Sequence, residues 1–286
     1  MNSLQSQEVR YNFALADGSR WNIAAKDDVV IPIVSQLGRA MRLRAASGII
    51  ECSNRGNLRQ LLVRAGTCIS AANRSLPLAS ENDNAVVCIL SPSNLQGGLY
   101  ANLVKLSLIL AQETQTRGGL LVHGALAERD GMGVILAAPG GTGKTTASNR
   151  LPAPWRSLSD DTTLVVRDLH GNYCAHPWPT WSRFLNGETG GVWNVQKAVP
   201  VKGIFFLIQA ANDQVEAIGP GQAVCLLGES VEQASAFMNL GKCKENLRTQ
   251  HLERFNNLCT FAKIVPAHLL RISLTGSFWQ EMEKVL

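Results

Sequence analysis

Lys144 has the clearest chemical setting in this chain. It belongs to the run Ala138-Pro139-Gly140-Gly141-Thr142-Gly143-Lys144-Thr145. Backbone N–H groups of such a glycine-rich loop cradle phosphate oxygens, a lysine in this place reaches the β- and γ-phosphates, and the following hydroxyl can ligate Mg²⁺. Phosphate contacts are therefore expected from Pro139, Gly140, Gly141, Thr142, Gly143, Lys144, Thr145 and Thr146. The apolar run 133–137 ahead of the loop and residues 146–150 after it supply the strand and helix that the motif requires. Ala138 stands where the first glycine usually does, and it is small enough to begin the turn.

Sixteen residues after Lys144 come Asp160 and Asp161. Phosphoryl transfer needs a carboxylate to hold Mg²⁺ and, for a hydroxyl acceptor, one to take the proton. Adjacent acids at a strand end can face different ways, although a turn-forming pair or a helix N-cap reads the same. His123 stands in the apolar run 120–127, on the arm that precedes the loop. A core histidine with a satisfied hydrogen bond is the ordinary reading of such a residue, and an orienting contact to phosphate is the functional one. Arg183 and Lys197 flank a Trp- and Gly-rich stretch and could meet phosphate or the acceptor, although solvated surface charge is the ordinary reading, while His176, His251 and His268 lack metal-ligand spacing.

These groups need elements to hold them. Leu99, Leu103, Leu106 and Leu110 predict a helix over 99–116, ended by Gly118 and Gly119. The run 120–127 predicts a strand, 128–131 a turn, and 133–137 the strand entering the loop. An antiparallel pair therefore feeds the loop, in place of the helical crossover of a parallel sheet. Pro152 and Pro154 cut the next helix short. Segments 163–167 and 173–176 form a second hairpin, and 177–200 reads as a long irregular segment of the kind that carries function. Further on, 202–210 and 214–218 read as partner strands, 228–248 and 252–264 as helices, 267–274 as a strand and 276–286 as a terminal helix. Nearer the start, alternation of Val9, Tyr11, Phe13 and Leu15, then Trp21 and Ile23, predicts a hairpin about Asp17-Gly18. A short helix over 34–43 and strands at 48–52, 61–65 and 85–90 follow. The expected fold is α/β (α+β), with a small α+β region over 1–95 and a domain over 96–286 on a mixed, largely antiparallel sheet.

Bulk composition bounds the rest. The chain has 286 residues, 45% hydrophobic and 17% charged, enough for a buried core and too apolar for long disorder. The net charge of +5 is spread without a Lys/Arg run, so no nucleic-acid arm is expected. The 7 cysteines form no CxxC pair and leave one over, which points to reduced thiols in the cytoplasm. The first residues lack an apolar signal region, and the apolar stretch 103–111 is interrupted by Lys105 and too short to span a bilayer. A cytoplasmic protein that engages neither membrane nor nucleic acid is the expectation.

Taken in order, His123-Gly124-Ala125-Leu126, the Asp130-Gly131 turn, the strand 133–137, Gly143-Lys144-Thr145 and Ser159-Asp160-Asp161 resemble HPr kinase/phosphorylase, which shares its catalytic core with phosphoenolpyruvate carboxykinases. More narrowly, 139–146, Leu158-Ser159-Asp160-Asp161-Thr162-Thr163 and His176-Pro177-Trp178-Pro179-Thr180-Trp181 are similar to the HPr-kinase-like proteins of SynChlorMet cassettes. Those cassettes also hold radical SAM enzymes and small carrier-like proteins thought to serve peptide modification. The resemblance covers roughly 118–210. It implies ATP and Mg²⁺ as cofactors, Asp160 as catalytic acid/base, His123 as the active-site histidine, and Asp161 or Thr145 at the metal. It also implies a peptide or small carrier protein as substrate, radical SAM enzymes as partners, and the homo-oligomers that many relatives form. The family's Glu-containing glycine-rich segment has a loose counterpart at Glu188-Thr189-Gly190-Gly191, and the N-terminal region does not match that of HPr kinase. HPr itself is therefore not the expected substrate. The expected function is ATP- and Mg²⁺-dependent transfer of phosphate to a hydroxyl, such as a Ser or Thr of a peptide. The alternatives are a nucleotide-binding accessory or scaffold protein with little or no transfer activity, and a small-molecule kinase.

Overall fold

Period-two alternation of apolar side chains builds two sheets. The computed structural model describes residues 9–46, 58–66, 85–91, 98–187, 191–235 and 244–286. The expected strand at 48–52, residues 188–190 and part of the expected helix 228–248 lie outside the described residues.

The first sheet begins with the predicted hairpin, β1 (Arg10–Ala14) and β2 (Arg20–Ala25), in which Phe13 faces Trp21. Their rings stack with centroids 6.2 Å apart. With β3 (Arg44–Ala45), β4 (Leu58–Ala65) and β5 (Ala85–Leu90) the order is β3-β1-β2-β4-β5, and β2-β4-β5 run parallel. The amphipathic helix α1 (Ile31–Ala40) buries Ile33, Val34 and Leu37, and α2 (Leu99–Gln115) buries Leu103, Leu106 and Leu110. One apolar cluster joins this sheet, α1 and α2 to Leu121, Leu164, Trp178 and Trp181 further along the chain.

The second sheet is larger. Its strands are β6 (Leu120–Val122), β7 (Gly124–Arg129), β8 (Met132–Ala137), β9 (Arg156–Ser159), β10 (Thr162–Arg167), β11 (Tyr173–Trp178), β12 (Val199–Gln209), β13 (Gln214–Ala217) and β14 (Ala267–Ile272). They pair in the order β6-β10-β11-β12-β8-β7-β9, with β14 also on β12 and β13 on β14. Only β12–β8 and β12–β14 are parallel, so the sheet is mixed and largely antiparallel, as expected. Alternation divides its faces. Ile135, Ile204 and Phe206 meet α5 (Pro220–Ser235) and α6 (Lys244–Ile264), whereas Leu136, Phe205 and Leu207 meet Ala147 of α3 (Lys144–Arg150) and Phe278 of α7 (Phe278–Glu283). The described residues thus form an α/β protein with seven α-helices and two mixed sheets. None of these helices is long and apolar enough to cross a membrane.

Four sequence expectations change. The break expected between helices 228–248 and 252–264 is absent, because α6 runs unbroken over Lys244–Ile264. The strand expected over 120–127 breaks at His123, because β6 pairs with β10 while β7 pairs with β8 and β9. Strands 202–210 and 214–218 are not a hairpin: β14 inserts between them, since its apolar run is buried best beside the central β12. The stretch 177–200 is not wholly irregular, for Trp181–Leu185 forms a short helix, α4.

Candidate functional site

The break at His123 explains why the site is where it is. β6 and β7 are separated in the chain by one residue yet stand far apart in the pairing order, so the sheet coils strongly. A second segment crosses the same seam in the opposite direction: β9 pairs with β7, β10 pairs with β6, and Asp160-Asp161 are the two residues between them. With Val122 opposite Thr163 and Leu126 opposite Ser159, the register brings His123 and the acids together. Backbone groups at such a break lose their ladder partners and must find others. His123 N–H donates to Ser230 O (3.3 Å), and Ser230 Oγ on α5 donates to His123 O (2.9 Å). Thr163 Oγ1 donates across the seam to Gly124 O (2.8 Å). A Cβ at Gly124 would lie 3.1 Å from Leu136 O, so glycine lets β7 approach β8 closely just beside the histidine.

The glycine-rich loop leaves β8 and enters α3. Gly141 (φ 79°) and Gly143 (φ 99°) hold the left-handed conformation that glycine adopts without strain. A Cβ at Gly140, Gly141 or Gly143 would meet nothing within 4 Å, so the loop faces open space. Thr142 N–H turns inward to Pro139 O (3.4 Å), and those three glycine N–H groups have no acceptor among the described residues. Ala138 loses nothing by having a methyl group, because it packs in the core with Ala147 and Leu136.

Lys144 is buried, and its ammonium donates to Ala138 O (2.8 Å) and Pro139 O (3.3 Å). It also stands 2.8 Å from His123 Nε2, while His123 Nδ1 lies 3.5 Å from Asp161 Oδ1. Burial, and then the neighbouring Lys144, push the His123 pKa below the usual histidine range despite Asp161. Burial also lowers the Lys144 pKa, against the pull of Asp161. A neutral imidazole fits both contacts, accepting from Lys144 at Nε2 and donating from Nδ1 to Asp161, a tautomer assigned from the network.

Asp160 turns the other way. It is 7% exposed, lies 2.8 Å from Arg183 Nη1 through Oδ2, and accepts from Thr180 Oγ1 (3.3 Å) through Oδ1. The two acids therefore divide between two sets of partners, as adjacent residues leaving a strand can. Arg183 and Lys197 each have a partner: the first pairs with Asp160, and the second, still 36% exposed, with Glu128 (3.0 Å). His176 is a core histidine, with Nε2 accepting from Ala16 N–H (3.1 Å) and Nδ1 2.7 Å from Val195 O. Ser230 and Thr163 gave no sequence signal, because each acts from an element distant in the chain; Arg183 was marked only by its place beside the Trp- and Gly-rich stretch.

A cavity of about 540 Å³ adjoins the loop at the carboxyl ends of the parallel pair β8–β12. It lies between Gly141 and Thr142 of the loop, Phe206 and Gln209 of β12, and Leu226 and Gln233 of α5. Gln209 Nε2 donates to Thr142 O (3.2 Å) across its edge. Small-molecule sites have this size, and open α/β sheets bind ligands at this end of their strands. Among the described residues, no group of three or more His, Cys, Asp or Glu side chains could hold a metal ion.

Residues 86–286 match the family model of the SynChlorMet cassette protein ScmC. The chain belongs to that family. The matched region contains the loop, the seam and both acids, and membership suggests a role in a modification cassette. The match starts in β5, so the other four strands of the first sheet lie outside it. No curated protein matches the chain.

Proposed function

We propose that the chain is an ATP- and Mg²⁺-dependent, HPr-kinase-like phosphotransferase that phosphorylates a hydroxyl, a Ser or Thr of a peptide or small carrier protein of its cassette. The observation that carries this reading is the contact chain from Lys144 through His123 to Asp161, beside a loop whose glycines stand next to open space and whose glycine N–H groups have no acceptor among the described residues. Such N–H groups and a buried lysine suit the β- and γ-phosphates of a nucleotide, and the adjoining cavity suits its nucleoside. Neutral His123 holds Lys144 without adding a charge that would oppose it. Asp160 takes the proton of the attacking hydroxyl.

The donors available for Mg²⁺ are the Thr145 hydroxyl and the Asp161 carboxylate. Two hard oxygen donors fit this ion, which keeps several waters and takes phosphate oxygens as further ligands. When bound, it neutralises charge on the transferring phosphate. A scaffold reading, in which the protein binds nucleotide and docks peptide for radical SAM enzymes, is favoured by one observation: both Asp160 oxygens are already engaged. Incubation with γ-labelled ATP, Mg²⁺ and the cassette peptide separates the two. Label on the peptide that is lost in Asp160→Asn supports the kinase; nucleotide binding with no transfer supports the scaffold.

A further inference from the structure

The short helix α4 has two faces with different work. Trp181 and Phe184, each 6% exposed, pack edge to face at 6.0 Å inside the cluster that contains α1 and α2. Trp181 Nε1 donates to Ser107 Oγ of α2 (2.9 Å), and the Arg39 guanidinium of α1 sits 5.0 Å from the centre of the Phe184 ring. Just beyond α4, Trp193 N–H donates to Ala40 O at the end of α1 (2.7 Å). The opposite face meets Asp160: Arg183 at one carboxylate oxygen, and Thr180, the residue before the helix, at the other.

A carboxylate on a two-residue link between strands can rotate about its own side-chain bonds. Two donors on an anchored third element fix it. Losing a group that orients a functional side chain in this way typically costs about 10–100-fold in activity.

We propose that Arg183 and Thr180 are positioning residues for Asp160, and that the first sheet, through α1 and α2, braces α4 and so sets the geometry of phosphoryl transfer. This gives the amino-terminal region a role in the reaction although most of its sheet lies outside the family match. The proposal rests on the phosphotransferase reading.

The test measures label transfer to the cassette peptide by the full chain, alongside nucleotide affinity and thermal midpoint. Arg183→Ala lowers kcat about 10–100-fold, the range for partners that orient a functional ligand, with KM for ATP within about twofold and the midpoint kept. Arg183→Lys recovers part of the rate. Millimolar guanidinium restores Arg183→Ala and leaves Asp160→Asn inactive. Phe184→Leu, which loosens the anchor without touching Asp160, lowers kcat and spares ATP affinity. Wild-type kcat in Arg183→Ala, or a loss that follows the midpoint and resists guanidinium, overturns the positioning role alone. Full kcat in Phe184→Leu overturns the brace. Nucleotide binding with no transfer in the wild type removes the phosphotransferase reading, and this proposal falls with it.

Discussion

Strand β7 carries a charged cluster at each end, and the two are built on opposite principles. At its far end Glu128, 3% exposed, accepts from Lys197 (3.0 Å), Arg156 (3.2 Å) and the N–H of Gly131 (3.0 Å). Burial pushes the Glu128 pKa up, but these donors outweigh it and hold the carboxyl below its usual range. At the near end Lys144 and His123 are both pulled down by burial, and the Asp161 side chain stays 35% exposed. A charge surrounded by protein donors fixes the chain path and has little left for a ligand. A buried cation whose partners are a neutral imidazole and two carbonyls keeps an unmet demand for negative charge. That difference separates a cluster that holds the fold from one suited to phosphate.

The strongest way to break the comparison is Lys144→Ala. Loss of one preorganised donor to developing charge typically costs about 10²–10³-fold in rate, so label transfer should fall by that factor while the thermal midpoint holds or rises. A midpoint that collapses with activity would make Lys144 a fold residue like Glu128.

Acid pH sharpens the contrast next. His176, outside both clusters, is buried and has its pKa pushed down to about 4. The unfolded chain binds that proton near pH 6.5 and the folded chain does not until about 4, so stability falls as pH falls through this window, by roughly 3 kcal/mol in total. His123 is depressed in the same direction, so once pH falls below the usual histidine range its protonation adds a second positive charge beside Lys144, and affinity for the anionic nucleotide should rise. Unfolding midpoints and nucleotide titrations between pH 7 and 4.5 check this, and a flat profile would contradict neutral, buried histidines.

Glu128→Ala should lower stability by about 2 kcal/mol, less than for a fully buried pair because Lys197 and Arg156 can turn to water. Calorimetry should show a midpoint lower by roughly 4–8 °C, with nucleotide affinity unchanged. The smallest effect is that of His123→Asn. With the Lys144 contact weakened and Ser230 still holding the backbone, transfer should fall about tenfold and stability by under about 1 kcal/mol. Steady-state kinetics with a parallel melt would reveal either departure.

Local pattern made much of this visible in advance. The hairpin about Asp17-Gly18, the helix from Leu99 and the strand–loop–helix run around Lys144 are each specified within a few turns of chain, where period and turn residues decide. The insertion of β14 between β12 and β13 was not visible, because a buried apolar strand fits beside many partners. Nor was the break at His123, since its flanking residues are apolar on both sides and only the pairing partners differ.

By itself the sequence determined which groups the proposed phosphate site would draw on: a glycine-rich loop, Lys144, His123, and two neighbouring acids. These follow from residue types at short spacing. Tertiary structure alone decided how they are shared out, with Asp161 toward His123 and Lys144 and Asp160 toward Arg183 and Thr180. The physical reason is the coiled sheet. Two segments cross its seam in opposite directions, and the partners they meet there come from α4 and α5, whose positions depend on packing across the whole chain.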